Sequence, residues 1–191
     1  WADVLTLLTA AYIARHTGQY DSVFGVPYMG RLGNSSALTI ATVMNVAPLP
    51  LQIDEHLPMP VFMQQGAKAL MLTRRHGRYR SEQLRRDLGL LNGMRRLHGP
   101  LINILPFDTP YAGTGLNATS HVVCAGPVED INFTFRSDTQ AQGMRLEIEA
   151  NPKLYNLDQI QAHIPRLIHF ITHALHAGCL ADIPTVTAAE Y

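Results

Sequence analysis

The run PLINILPF at residues 100–107 is the feature that most constrains the fold of this chain. It is almost continuously apolar, and a run of this length fits a strand that is covered on both faces. Two segments of alternating polarity follow it, INFTF at 131–135 and MRLEIEA at 144–150. Alternation places every second side chain on one face of a strand, which turns Met144 and Ile148 toward the core. We expect these two segments to form an antiparallel hairpin.

Helical periodicity marks four further segments of the chain. Ser81 is placed to cap the third helix and Asn156 to cap the fourth, which ends at Gly178. The predicted helices span residues 2–17, 59–78, 81–87 and 157–177. The apolar stripe of the fourth helix is expected to comprise Leu157, Ile160, Ile164, Leu167, Ile168, Ile171 and Leu175.

The remaining segments predict three more strands and two loops. The segment NVAPLPLQI contains Pro48 and Pro50, which confine this strand to a sheet edge or a bulge. Strands are expected at residues 21–31, 45–53 and 120–126, and loops at 32–44 and 108–117. Because continuous and alternating strands occur together with helices, the sequence predicts an α/β fold, a mixed β-sheet with packed helices.

Length and composition fit a single domain. The chain has 191 residues, of which 47% are hydrophobic, and this is enough to bury a core. It contains no run of ~18 apolar residues, so no transmembrane helix is expected. Cys124 and Cys179 have neither metal-ligand nor disulfide-framework spacing, which predicts free thiols in a cytoplasmic protein. Because the chain starts at Trp1 without a Met, we interpret it as an excerpt of a longer protein.

The charges are unevenly distributed, although the net charge is zero and argues against a general nucleic-acid binder. Eight of the fifteen Lys and Arg residues lie between positions 74 and 96, where only Glu82 and Asp87 offset them. A cluster of one sign either attracts an anionic partner or forms a solvated helix face. The eight cations are Arg74, Arg75, Arg78, Arg80, Arg85, Arg86, Arg95 and Arg96.

Common catalytic motifs are absent from the sequence. It has no GxSxG nucleophile elbow, no P-loop and no HExxH zinc motif, and GTG at 113–115 precedes no predicted helix. His169, His173 and His176 lie on the last predicted helix, where they form either a polar outer face or part of a metal site. No Cys or carboxylate has the spacing to complete a tetrahedral site there, so no metal is expected.

A few polar and small residues interrupt the apolar strands. Asn45 and Asn103 lie in predicted strands, and a buried amide is costly unless it is hydrogen-bonded. Each is therefore either a structural tie or a polar group that faces a substrate. Gly25 and Gly30 flank the turn before Arg31 and allow the backbone to come close to a ligand. Arg31 either pairs with a carboxylate or lines the floor of a site.

Six segments, in a fixed order along the whole chain, resemble motifs of the condensation domains of nonribosomal peptide synthetases. One of them departs from the family pattern, because Gln52, which follows Leu51, stands where Arg is usual. The sequences of these segments are most similar to those of the serine-activating module of enterobactin synthetase and its siderophore relatives. The six segments are VFGVPYMGR at 23–31, VMNVAPLPL at 43–51, LRRDLGL at 84–90, GPLINILPFD at 99–108, GPVEDINFTF at 126–135 and LEIEANPKLYN at 146–156.

This resemblance implies a chloramphenicol acetyltransferase-like lobe, the C-terminal one of the two lobes of a V-shaped condensation domain. Members of the family form an amide bond between two thioester-tethered substrates. Donor and acceptor carrier domains bring these substrates on phosphopantetheine arms, which enter a tunnel between the lobes. The catalytic histidine belongs to an HHxxxDG motif on the N-terminal lobe, and this chain has no His-His pair. No catalytic residue is therefore expected here, and no cofactor is bound directly.

The resemblance also implies roles for particular residues. Residues 30–44 correspond to the loop that floors the tunnel, and residues 108–125 to a latch that crosses to the other lobe. Residues 1–180 are expected to form the lobe, and 181–191 to begin a linker toward an adjacent adenylation domain. The expected tunnel residues are Gly25, Gly30, Arg31, Asn45 and Asn103. The expected residues for carrier docking and phosphopantetheine binding are Arg78, Arg85, Arg86 and Asp87.

Three other functions stay open at this point. An epimerisation or heterocyclisation relative would carry distinguishing segments, which we do not find. A stand-alone acyltransferase homotrimer would need a histidine in a matching strand-end motif. A non-catalytic docking module of the same superfamily would only recruit partner proteins, and an HHxxxDG motif upstream of Trp1 distinguishes it from a catalyst. Neither nucleic acid nor a membrane is expected as a partner.

Overall fold

The computed structural model describes residues 1–31, 38, 40–91, 96–106, 111–113, 116–118, 126–138 and 143–190. The helices are α1 (Ala2–Thr17), α2 (Met59–Arg75), α3 (Ser81–Asp87) and α4 (Leu157–Ala174). The strands are β1 (Asp21–Tyr28), β2 (Asn45–Gln52), β3 (Leu101–Leu105), β4 (Tyr111–Gly113), β5 (Leu116–Ala118), β6 (Ile131–Asp138) and β7 (Gly143–Ala150). Most of the 32–44 loop, and residues 120–125 of the strand expected at 120–126, lie outside the described residues.

Five strands form one mixed sheet in the order β2-β1-β3-β6-β7. The three inner strands are parallel, and β2 and β7 pair antiparallel at the two edges. The strand β2 lies at the edge of the sheet, so this prediction is confirmed. Pro48 and Pro50 lack the amide N–H groups that a second neighbouring strand would bind. The hairpin of β6 and β7 that alternation predicted is confirmed too. The chain therefore has the predicted α/β fold with a mixed sheet.

One face of the sheet packs against the helices. The strand register places Ile102 of β3 beside Phe133 of β6, and Phe133 beside Ile148 of β7. Their face forms a continuous core with apolar side chains of α1, α2 and α4. Full burial of such side chains contributes about 1.5–3 kcal/mol each to folding. The largest buried side chains are Tyr12, Phe24, Phe133, Phe170, Leu7, Leu8, Leu49, Leu70, Ile102, Leu167, Leu180 and Ile183.

The predicted apolar face of α4 is wrong in part. Leu167 and Phe170 are fully buried, but Ile168 is 53% exposed and Leu175 71% exposed. Leu157 is also exposed. Apolar residues surround most of this helix, so helical periodicity alone does not select a face. Packing of α4 against α1 and β7 decides which of its faces is buried.

Three smaller predictions are also wrong. Met144 is 49% exposed at the start of the edge strand β7, where no further strand or helix of the described part covers it. The segment 108–117, predicted as a loop, contains β4 and part of the hairpin that β4 forms with β5. The side chain of Ser81 does not cap α3, for which Arg80 is the N-cap residue. By contrast, Asn156 caps α4 in a reciprocal capping box with Gln159.

The segment that follows α4 packs against the domain. Leu180 and Ile183 are buried, and Nη1 of Arg15 donates hydrogen bonds to both of their carbonyl oxygens. Nε of the same arginine lies 2.9 Å from Oε2 of Glu55. The boundary between lobe and linker stays a prediction. None of the described helices is both long and apolar enough to span a lipid bilayer.

Candidate functional site

The face of the sheet opposite the helices carries polar and half-exposed side chains. Alternation turns Asn103 of β3 to this face, and the register places it beside Thr134, which pairs with Glu147. Leu101 and Leu105 share this face and are only partly buried. Among the described residues, the helices bury their apolar side chains against one face of β3 only, so cover on its second face stays a prediction.

A cavity of about 370 Å³ opens beside Asn103, at the carboxyl ends of β1 and β3. We call it the Asn103 cavity. Pro27, Met29, Arg31 and residues 41–44 supply much of its remaining lining. Ligands of open α/β sheets bind outside the carboxyl ends of parallel strands, so this is the expected place for a substrate. The cavity brings together two of the predicted tunnel residues, Arg31 and Asn103.

The side-chain amide of Asn103 is available to a ligand. It is half-buried, and it makes no hydrogen bond to the described part of the chain. A carboxamide offers two N–H donors and one carbonyl acceptor. Asn103 is thus not a structural tie within the described residues, and the second alternative, a polar group that faces a substrate, stays a prediction.

The turn after β1 shapes the same cavity. Nη2 of Arg31 donates a hydrogen bond to the carbonyl oxygen of Ala41, 2.5 Å away. Gly30 has a φ of 68°, and a β-carbon there would lie 2.6 Å from the carbonyl oxygen of Val43. A larger residue would be strained and would clash with backbone, so glycine is required. Gly30 thus allows close approach of the loop backbone and brings Arg31 to the cavity.

Asn45 lies in a different environment. Its Nδ2 donates hydrogen bonds to the carbonyl oxygens of Gly77 and Tyr79, at 2.9 and 2.8 Å. Its Oδ1 accepts a hydrogen bond from the backbone N–H of Ser81 at 3.1 Å. These bonds tie β2 to the turn between α2 and α3 and satisfy an amide at the start of α3. Asn45 therefore takes the first alternative, a structural tie.

Gly25 makes room for a side chain of the protein itself. It lies on the same face as Asn103, next to Leu101 in the parallel register. A β-carbon on Gly25 would lie 2.6 Å from two atoms of the His98 imidazole. The space that this glycine leaves is therefore filled by His98.

The arginine-rich segment contains both paired and unpaired cations. Arg74 donates hydrogen bonds to both carboxylate oxygens of Asp3, and Arg96 lies 3.6 Å from Asp130. Nε of Arg85 is buried and has no hydrogen-bond partner among the described residues. The described arginines of the segment that form no ion pair with a described residue surround α3: Arg75, Arg78, Arg80, Arg85 and Arg86.

Asp87, the fourth predicted docking residue, is held by its neighbours. The Tyr79 hydroxyl donates a hydrogen bond to one carboxylate oxygen, and Nε2 of Gln83 donates to the other at 2.8 Å. These hydrogen bonds, that of Tyr79 first, lower the pKa of Asp87. The carboxylate therefore fixes Tyr79 beside α3. A cavity of about 470 Å³ lies there, lined by Tyr79, Leu84 and Asp87 among others.

The family follows from comparison with known proteins. The family model for the condensation domain matches residues 1–188. This chain belongs to the condensation domain family. It is 37% identical over 174 residues to a dimodular nonribosomal peptide synthase of Bacillus subtilis, across 91% of this chain and 7% of that protein. It is 32% identical over 191 residues to enterobactin synthase component F of Escherichia coli, across 99% of this chain and 15% of that protein.

Solved condensation domains have the same fold. The starter condensation domain of rhizomide synthetase superimposes with a TM-score of 0.83 at 32% identity, over 97% of this chain and 45% of that chain. The first condensation domain of the CDA synthetase gives 0.82 at 26% identity, over 98% and 42%. The predicted chloramphenicol acetyltransferase-like fold is confirmed. The chain spans less than half of these solved chains and a smaller share of the curated relatives.

The described histidine with the largest pKa shift, His163, lies away from the Asn103 cavity. The Tyr12 hydroxyl and Nδ1 of His163 are 2.7 Å apart, and the His16 ring packs against His163. Burial, with smaller contributions from His16 and Arg166, lowers the pKa of His163 to about 4. A perturbed pKa often marks a functional site. Here it marks a neutral imidazole that joins α1 to α4 in the helical layer.

The other histidines of α4 show no metal site. His169 and His173 have ring centroids 3.9 Å apart, and Nδ1 of His173 lies 2.9 Å from the carbonyl oxygen of His169. In the part of the chain that the structure describes, no group of three or more His, Cys, Asp or Glu residues is arranged to hold a metal ion.

Two residues beside the tunnel candidates were not predicted. Met29 lines the Asn103 cavity, and His98 packs over Gly25. Met29 lies inside the motif VFGVPYMGR, but an apolar side chain carries no chemical signature by itself. His98 precedes β3 outside any catalytic motif, and its Nδ1 lies 3.1 Å from the carbonyl oxygen of Gly99. Both depend on the pairing of β1 with β3, which residue spacing does not reveal.

Proposed function

We propose that this chain is the C-terminal lobe of a condensation domain that joins a carrier-tethered thioester donor to an aminoacyl acceptor through an amide bond. The supporting observation is the sheet face that the described helices leave uncovered, where the Asn103 side-chain amide has no described hydrogen-bond partner and lines a cavity. Half-exposed Leu101 and Leu105 flank Asn103 on this face. A second lobe would remove such side chains from water and close the cavity into a passage.

In the proposed reaction the acceptor amine attacks the thioester carbonyl. The C–N bond forms, the C–S bond breaks, and the donor thiol leaves with a proton. Alignment of the two tethered groups contributes about 7–11 kcal/mol to lowering the barrier. A histidine of an HHxxxDG motif on the other lobe would orient the amine or move its proton, worth about 10²–10⁴-fold. The Asn103 amide would donate to the carbonyl oxygen as negative charge develops there.

The arginines around α3 that form no ion pair with a described residue support a docking surface for the acceptor carrier domain. A phosphopantetheine phosphate needs cations, because charge-assisted bonds to phosphate are among the stronger polar contacts. A mutant of the rhizomide synthetase domain has been crystallised in complex with C8-CoA and Leu-SNAC. We extend that class of ligand, a group carried on a phosphopantetheine-like arm, to this chain. A donor carrier and an adjacent adenylation domain would complete a cytoplasmic synthetase that makes a siderophore or another secondary metabolite.

The proposal is tested by an amide-forming assay with two loaded carrier domains. The isolated chain is expected to give no product above background, because the lobe with the reactive imidazole is absent. The same chain joined to the lobe that precedes it is expected to turn over. Turnover by the isolated chain would contradict the two-lobe proposal. No product from the joined protein would instead favour a non-catalytic docking module.

Replacing Arg85 and Arg86 together by Ala is expected to weaken docking of the phosphopantetheinylated acceptor carrier about tenfold, because two cations near the phosphate are lost. The affinity is measured by titration at low ionic strength, where exposed charges are least screened. The matched control is the double variant Lys68→Ala, Lys153→Ala, which removes the same charge from exposed positions outside the Arg74–Arg96 segment. Equal affinity of both double variants would count against this docking surface.

A further inference from the structure

A second cavity of about 240 Å³ lies behind the Asn103 cavity, between the sheet and helices α1 and α2. We propose that this inner cavity binds an unbranched aliphatic chain of the substrate whose reacting carbonyl or amine lies at Asn103. The proposal rests on the proposed function, since it places the rest of that substrate in the Asn103 cavity. It adds a subsite and a chemical class of substrate.

The two cavities are neighbours that share part of their walls. Pro27, Met29 and Ile104 line both of them. Met29 is 45% exposed. Its side chain is unbranched and adaptable, so a change of rotamer at Met29 can connect the two spaces. A chain that enters the Asn103 cavity therefore has a route past Met29 into the inner cavity.

The walls of the inner cavity favour an aliphatic group. Val26, Ala47 and Leu70 supply apolar surface from two strands and α2. The guanidinium of Arg74, which also lines the cavity, donates hydrogen bonds to both carboxylate oxygens of Asp3. Because that cation is already neutralised, a charged substrate group would gain little here. An apolar chain would gain from leaving water.

The size of the inner cavity sets the length of the chain. One water molecule occupies about 30 Å³ of liquid, so 240 Å³ holds about eight groups of that size. A chain of about six to eight carbons therefore fits. The buried Ala47 limits one wall, and a larger residue at this position would take up part of the space. The chain could belong to an acyl donor or to the side chain of an amino acid acceptor, and the test separates these sources.

The test is a titration of this chain, with 13C-labelled methionine methyl groups, by N-acetylcysteamine thioesters. The ligands are acetyl, octanoyl and 2-aminooctanoyl thioesters. The Met29 signal, assigned by its loss in Met29→Leu, is expected to shift with the eight-carbon ligands. Their affinity is expected to exceed that of the acetyl thioester at least tenfold, because each buried methylene contributes about fourfold. Preference for the octanoyl or the 2-aminooctanoyl thioester assigns the chain to the donor or the acceptor.

Filling the inner cavity with Ala47→Leu is expected to lower octanoyl affinity tenfold or more. If Ala47→Leu does not fold, Thr73→Met replaces it, because Thr73 lines the same cavity from a half-exposed position of α2. Ala67→Leu adds the same side chain at an exposed position of α2 and is the control. Equal binding of acetyl and octanoyl ligands, or undiminished octanoyl binding by both filled variants, would overturn the subsite. Because binding needs no amide formation, these results are independent of the assay of the proposed function.

Discussion

Asn103→Ala is expected to lower kcat/KM for amide formation by the complete condensation domain about 100-fold, with little change in stability. The amide makes no hydrogen bond to the described residues, so its removal leaves no orphaned partner there. The substitution would remove a hydrogen-bond donor to the thioester carbonyl oxygen, on which negative charge develops. The measurements are amide formation from two loaded carriers and the free energy of unfolding in denaturant.

The matched control for this prediction is Asn45→Ala. Its side chain makes three hydrogen bonds to the turn that precedes α3, so the substitution is expected to destabilise the fold by about 1–3 kcal/mol. Asn103→Ala should thus change activity without stability, whereas Asn45→Ala should change stability. Full activity in Asn103→Ala, or a loss of stability equal to that of Asn45→Ala, would refute the role proposed for Asn103.

Phe170→Ala is expected to lower the free energy of unfolding by about 3–5 kcal/mol, because a fully buried ring is lost and a cavity is left. Phe170 is 0% exposed and packs edge-on against the ring of Tyr12, with centroids 5.7 Å apart. This ring pair is part of the contact between α4 and α1.

The comparison for Phe170→Ala is Ile168→Ala on the same helix. Ile168 is 53% exposed, and its truncation is expected to cost less than about 1 kcal/mol. Both values are obtained from denaturant unfolding monitored by circular dichroism. If Ile168→Ala proved as costly as Phe170→Ala, the assignment of the buried face of α4 would be wrong.

For α4, the sequence predicted the helix and its N-cap but not its buried face. The helix and its cap at Asn156 were predictable, because capping and period are local properties. The buried face was not, since apolar residues such as Ile168 and Phe170 stand on several sides of the helix. Only packing against α1 and β7 distinguishes them.

At the candidate site, the sequence likewise did not distinguish the environments of two asparagines. Asn45 and Asn103 looked alike in the sequence, as polar residues in apolar strands. In the structure Asn45 is fully occupied by the turn before α3, whereas Asn103 faces a cavity. Hydrogen-bond partners more than thirty residues away decide between a structural and a functional amide, and spacing within a motif does not report them.

The sequence by itself determined the condensation domain family, the α/β class, the edge position of β2 and the hairpin of β6 and β7. Each of these follows from local patterns: motif order, alternation, and proline's missing N–H. The tertiary structure alone decided that the described helices cover β3 on one face, that Met29 lines two cavities, and that His98 fills the space over Gly25. These features arise where β1 pairs with β3, which lie more than seventy residues apart, because side-chain environments depend on that long-range pairing.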